Sequence, residues 1–448
     1  MDHQHTATPP GTPTRCPMHG QDFAADPRRT YDQLRAEGPA GPVELHPGVD
    51  ATLVVEHKTA LRVLQDPRLF ARDSRRWAAL NQGLIALDNP VLPMMAFRPN
   101  CLFTDGAEHL RLRKAVTESL DRIDLSRLTR DVRQISNYLI DQFSERGYAD
   151  LLNDYAKLLP LLLFNKLFGC PAGIGDRLTT SMAAIFDGKD ALRANDELTA
   201  CLMELVALKR REPGDDITSW LIQHPAGLRD EELKDQLVML MGAGVEPERN
   251  LIGNALLLLL SGRGSGMLVH EALDHVLWND PPIANYATHY PVQDVQLGGV
   301  HVEANTPLVI SFAGANSDPA LDAARKSRAM GAHLAWGAGP HGCPAKSPAQ
   351  AIAITAIEEI LKELGDLTLA DPEDRLEWRP GPFHRALVAL PVRFSPTPAT
   401  RTAQAPHVAT SRPATHGTAR PASSPAPGWR DQKEKKGFWS TFLDIFRV

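Results

Sequence analysis

The sequence has no cysteine pair at C-x-x-C spacing, and its five cysteines (Cys16, Cys101, Cys170, Cys201 and Cys343) are odd in number and scattered. That excludes a disulfide framework as the organising device and points to a reducing compartment. No uninterrupted run of about eighteen apolar residues occurs, so no membrane span is expected. The opening stretch, MDHQHTATPPGTPTRCPMHG, lacks the apolar core of a signal peptide. Strong charge of either sign is missing too. A formal net charge of -6 offers no electrostatic footprint for nucleic acid. What remains, 43% hydrophobic and 23% charged over 448 residues, is a globular composition with ample length for a large core. Together these absences lead us to expect a cytoplasmic protein.

Most of the chain carries helical periodicity. Residues 1–24 are rich in Pro, Thr and His and read as a disordered tail, so Cys16, Met18 and His19 are treated as tail residues rather than metal ligands. The globular text covers residues 25–395. Leu53-Val54-Val55 is its clearest strand, and helices are expected over Lys58–Asp66, Leu110–Thr117, Leu128–Arg146, Ala156–Phe168, Asp196–Arg211 and Asp230–Leu260. Pro281–Phe312 changes to a strand-and-turn pattern, with Leu297-Gly298-Gly299 and Asn305-Thr306-Pro307 as turns. The expected class is mainly α with a small β region.

Residues 396–430 form a Pro/Ala/Thr/Ser-rich linker with too little apolar content to fold. Residues 431–448 read as a short basic amphipathic helix. Phe438, Trp439, Phe442, Ile445 and Phe446 share one face, and Lys433, Lys435 and Lys436 precede it. Three fates are open to it: an anionic membrane surface, a partner's groove, or the protein's own body.

The organising stretch is Trp336-Gly337-Ala338-Gly339-Pro340-His341-Gly342-Cys343-Pro344-Ala345, followed by a helical pattern with Ile352, Ile357 and Ile360 among its apolar positions. Three glycines make a loop that something flat can approach, and a helix start just beyond Cys343 favours its thiolate. Zinc would need about four ligands, and His341-x-Cys343 supplies only two. A nucleophilic cysteine would need a base and an orienting group. A buried structural thiol and thiolate ligation of haem iron both stay open on this loop alone.

Other stretches join it. The loop resembles the haem-binding signature of the cytochrome P450 family, Phe-Gly-x-Gly-x-His-x-Cys-x-Gly, with Trp336 for the Phe and Ala345 for the last Gly. Upstream, Phe103 to Arg113 resembles the family's C-helix text with its His-x-x-x-Arg, here His109 and Arg113. Ala315-Asn316-Ser317-Asp318-Pro319 resembles its Ala-Asn-Arg-Asp-Pro turn, and Asp294 to Gly299 its β-turn text. The resemblance spans roughly Pro27 to Phe394. It implies the triangular helical haem-thiolate fold and haem b (iron protoporphyrin IX) as cofactor. Cys343 would be the iron ligand; Trp336 and Gly337 would belong to the cofactor loop, while His109, Arg113, His289 and His341 would hold the propionates. It also implies oxygen insertion into an apolar small molecule, with electrons from NAD(P)H through a ferredoxin and its reductase.

Three departures accompany the resemblance. The family's Ala/Gly-Gly-x-Asp/Glu-Thr reads here Ala243-Gly244-Val245-Glu246-Pro247, so Gly244 and Glu246 are kept while Pro247 replaces the alcohol. Proline organises no water through a hydroxyl and frees a carbonyl one turn earlier. The family's Glu-x-x-Arg falls on His275 and Trp278, and the text between Asn316 and Trp336 is short; Arg325, Lys326 and Arg328 there either face a redox partner, as Arg111 and Lys114 would, or are merely solvated. The pocket is expected to draw on Gly83–Phe97, Phe164–Phe186 and Met239–Val245. The alternative to a monooxygenase is a haem-binding protein with weak or peroxide-driven oxygen activation, acting as a regulatory scaffold through its C-terminal helix.

Overall fold

A computed structural model describes residues 15–186, 191–321 and 332–399. The helix Asp230–Leu260 crosses the middle of the molecule, 31 residues long and coincident with its predicted bounds. Its second half packs into one apolar cluster with Leu125–Asp141 and Lys346–Glu363, through residues such as Val132, Ile135, Leu256, Ile357 and Ile360. Its first half packs into another with Gly106–Leu120, Ala172–Phe186 and Ala191–Arg211, through Leu112, Leu178, Leu205 and Leu237. Local chemistry sets several helix starts. Asp124 accepts from the N–H groups of Ser126 and Arg127 ahead of Leu125–Asp141, and Asp216 accepts from Ser219 ahead of Ile217–Gln223. Both satisfy donors that a helix N-terminus leaves open.

The small β region is a six-stranded sheet in the order Cys16–Pro17, Ala40–His46, Val49–Val54, Leu308–Ser311, Asn285–Pro291, Phe70–Ala71. The Pro281–Phe312 text supplies two of its strands and a hairpin, Val295–Leu297 with Val300–Val302. Ala315-Asn316-Ser317-Asp318 works as a junction. Asn316 Nδ2 donates to the Leu277 carbonyl and its Oδ1 accepts from the Leu334 N–H at 2.7 Å. Asp318 accepts from the N–H of His57 and so closes the start of the helix His57–Gln65.

The expected disorder of residues 1–24 fails from residue 15 onward. Cys16 and Pro17 pair in parallel with Val43 and Glu44, Met18 is fully buried, and His19 Nε2 lies 2.9 Å from Glu44. The edge of Ala40–His46 needs backbone partners, and Met18 fills the apolar cluster beneath it. At the other end, the globular body reaches past residue 395, since the N–H of Thr397 donates to the Ser144 carbonyl. The linker, the C-terminal helix and Arg325, Lys326 and Arg328 lie outside the described residues. Among the described residues no helix is long and apolar enough to cross a membrane.

Candidate functional site

Between the two apolar clusters lies a cavity walled by the cysteine loop and by the long helix. The loop reverses tightly on itself. Gly337 N–H donates to Leu334 O and Cys343 N–H to Trp336 O, both at 2.7 Å. Gly339 has φ +67°, and a Cβ there would fall 2.2 Å from the Leu64 carbonyl oxygen, so only glycine fits. Two residues after Cys343, the Ala345 N–H lowers its thiol pKa, as does Arg113, yet burial outweighs both and pushes the thiol up. The thiolate preference expected from the helix start is therefore present but overridden by desolvation. Cys343 keeps an accessible surface and lines the cavity.

Cationic and imidazole groups gather at the same place. Arg113 donates to the Gly342 carbonyl and, at 3.1 Å, to Thr117. His109 and His341 stack with ring centroids 4.0 Å apart, and His341 Nε2 lies 3.9 Å from Asp105. Burial, then the charges of His341 and Arg113, drives the His109 pKa down to about 4. Burial also holds His289 well below its usual value, within electrostatic reach of Arg72, His341 and Asp105. His109 Nε2, His289 Nδ1 and Trp336 Nε1 are all buried without hydrogen-bond partners. Orphaned polar atoms of this kind cost stability unless a ligand meets them. Arg72 had no signal in the sequence reading, yet it is buried, lines the cavity and donates to the Thr288 carbonyl at 2.7 Å. Asp105 fixes it by accepting from the N–H groups of Arg72 and Asp73.

On the long helix, Ala243, Gly244, Pro247 and Glu248 line the cavity and Glu246 does not. Glu246 faces away, where Arg379 donates to it and Arg249 Nη1 lies 3.4 Å off. Burial raises its carboxyl, but Arg379, Arg249 and His384 outweigh that and hold it below the usual range. The missed acid is Glu248. It is 5% exposed, its Oε1 has no hydrogen-bond partner, and burial holds its carboxyl well above the usual range. Gly244 acts through space: a Cβ there would sit 2.1 Å from the ring of Phe164, itself a lining residue. The Gly83–Phe97 segment contributes no lining residue. Its apolar side chains Ile85, Val91, Leu92 and Met95 pack instead against the sheet, and Cys101 and Leu102 take that part of the wall.

No protein-family model matches the chain. Cytochrome P450 monooxygenase PikC of Streptomyces venezuelae is 33% identical over 398 residues, covering 84% of this chain and 92% of PikC. The chain belongs to the cytochrome P450 family. Nocardicin C N-oxygenase of Nocardia uniformis subsp. tsuyamanensis is 30% identical over 404 residues, 86% of this chain and 99% of its own. Among solved structures, CYP154C4 from Streptomyces sp. ATCC 11861 superimposes with a TM-score of 0.77 at 26% identity, over 85% of this P450 and 98% of that chain. This P450 is thus an oxidoreductase of the monooxygenase type, and haem is its family's cofactor. The residues fit that group: a thiol, a largely apolar cavity, and unpartnered buried nitrogens beside two arginines able to meet two carboxylates.

In place of the family's Glu-x-x-Arg pair, Trp278 is buried with its ring edge-on to His333, centroids 5.7 Å apart. His333 Nδ1 accepts from the Ala335 N–H, just before the cysteine loop. Arg111 is less available to a redox partner than expected, because Glu232 holds it at 2.6 Å.

Proposed function

We propose that this P450 inserts one atom of dioxygen into an apolar small molecule, with electrons passing from NAD(P)H through a ferredoxin-type protein. The observation that carries the reading is the cavity itself, apolar over most of its surface and lined by a single accessible thiol on the loop side. Cys343 would hold the iron of haem b through its thiolate, with Trp336 and Gly337 beside it. His109, Arg113, His289 and His341, joined by Arg72, would hold the propionates. When bound, the haem supplies dioxygen binding and activation, with the thiolate favouring O–O cleavage. The chain's own groups do the rest. Phe164, Leu240 and Ile217 exclude water from the substrate side. Pro247 leaves the Ala243 carbonyl without an intrahelical donor and therefore open to a water or a substrate hydroxyl. Gly244 keeps that wall thin. Glu246, bound by two arginines, is the structural acid of the pair. The enzymatic relatives favour this reading over a haem-binding scaffold. A cytoplasmic location fits an iron–sulfur electron donor.

The test is the reduced carbon-monoxide difference spectrum of the haem-loaded protein. A thiolate-type Soret band is expected; an imidazole-type band, or no haem uptake, overturns the reading. Turnover of apolar candidate substrates with a ferredoxin and its reductase is then compared with peroxide alone, and product with peroxide only would remove the ferredoxin.

A further inference from the structure

Among the described residues, Glu248 is the one acid on the cavity wall. The titratable groups that share the lining with it are Cys343, Arg72, Arg113, His341, Cys101 and Tyr286. None of the arginines compensates it: its carboxyl has no charge-pair partner among the described residues, and desolvation alone displaces its titration, upward. An unpaired carboxylate in such a place is costly, so burial favours the protonated form of the group. It also follows Pro247 directly, the residue that lacks the hydroxyl of the family motif. Helical geometry puts Glu248 four residues from Gly244, on the same face and over the cavity, while Glu246 is turned about 200° from Gly244.

We infer that Glu248 is a catalytic acid of this P450, an unpartnered carboxyl on the cavity wall that supplies the proton which an alcohol at position 247 would otherwise organise. This rests on the monooxygenase reading above. In the transfer the carboxyl O–H bond breaks and its electron pair stays on the carboxylate. The proton goes to the oxygen being reduced by electrons from the ferredoxin-type donor, and a proton from bulk solvent, relayed by water that is itself left neutral, restores the acid at Glu248.

Infrared difference spectroscopy in H2O and D2O tests the protonation state without turnover, in haem-free and haem-loaded protein. A deuterium-sensitive carboxylic-acid carbonyl band is expected at neutral pH in the wild type and in Glu246→Gln, and its loss in Glu248→Gln. In the loaded enzyme, Glu248→Gln is expected to keep the thiolate carbon-monoxide band while product formed per NAD(P)H falls about 100-fold; Glu248→Asp recovers part of it. A wild type with no acid band, a band that survives Glu248→Gln, or unchanged product yield in Glu248→Gln overturns the role. A wild type without the thiolate band overturns the monooxygenase reading and this role together. A normal thiolate band with an indifferent Glu248→Gln overturns this role alone.

Discussion

The two walls of the cavity are built on opposite terms. The cysteine wall is backbone: Gly337, Gly339 and Cys343 close a turn through short N–H···O contacts, and the helix His57–Gln65 seats against Gly339 at Leu64. The helix wall gives up backbone satisfaction at Pro247 and carries an uncompensated acid at Glu248. On the proposed reading, the wall that would hold an iron ligand is over-determined, and the wall that would deliver protons keeps its groups uncommitted at a cost in stability.

Breaking the first wall has the largest expected effect. Cys343→His abolishes the thiolate carbon-monoxide band and product formation while haem is retained through an imidazole band; a thiolate-type band in that variant would move the ligand elsewhere. Next comes the turn that aims the thiol. Gly339→Ala combines a positive φ with a Cβ placed on the Leu64 carbonyl, and is expected to lower stability by about 2–4 kcal/mol, measured as the shift of a urea midpoint. Gly342→Ala, whose φ is -54° and whose Cβ would find 3.4 Å of room, is the control and shifts it by less than about 1 kcal/mol.

An effect smaller than that of Gly339→Ala sharpens the contrast between Glu246 and Glu248. Glu248 titrates higher in the folded state than in the unfolded one, so above pH ~4.3 the unfolded chain releases a proton that the folded chain keeps. Its contribution to stability therefore falls as pH rises, until the folded carboxyl itself ionises. Glu248→Gln is expected to flatten that fall and gain about 1–2 kcal/mol at pH 8 in urea titrations. Glu246 is displaced downward, so Glu246→Gln moves stability the other way at the same pH. Parallel pH profiles for the two variants would mean that the acids are not distinguished by their partners.

The cysteine loop was legible in the sequence because its geometry is local: a thiol, three glycines and a helix start lie within a dozen positions. The long helix was legible to its ends, since Asp230 and Leu260 bound one uninterrupted periodic stretch. Glu248 lies one position beyond the family motif, which ends at Pro247, so the motif alone does not mark it. The signal was there in helical phase, which sets positions 244 and 248 on one face. Arg72 carried no such signal. It sits after a two-residue strand, and what brings it to the cavity is long-range pairing of Phe70–Ala71 with Tyr290 and Pro291. The Gly83–Phe97 segment was misplaced for a related reason. Apolar spacing tells that side chains are buried but not beneath which layer, and here the sheet claims them. Cys16 to Met18 had too few residues for any period, and only an open strand edge gives them a place.

Trp278 against His333 has a consequence in solution chemistry. Burial depresses His333 to about 4, so the imidazole is uncharged at neutral pH and its approach to Asp274, 4.0 Å away, is not an ion pair there. The support under the ligand loop thus consists of an aromatic edge contact and hydrogen bonds, none of which depends on opposite charges. The stability contribution of this one contact is therefore expected to vary little with ionic strength, which the salt dependence of a urea midpoint in wild type and Trp278→Ala checks.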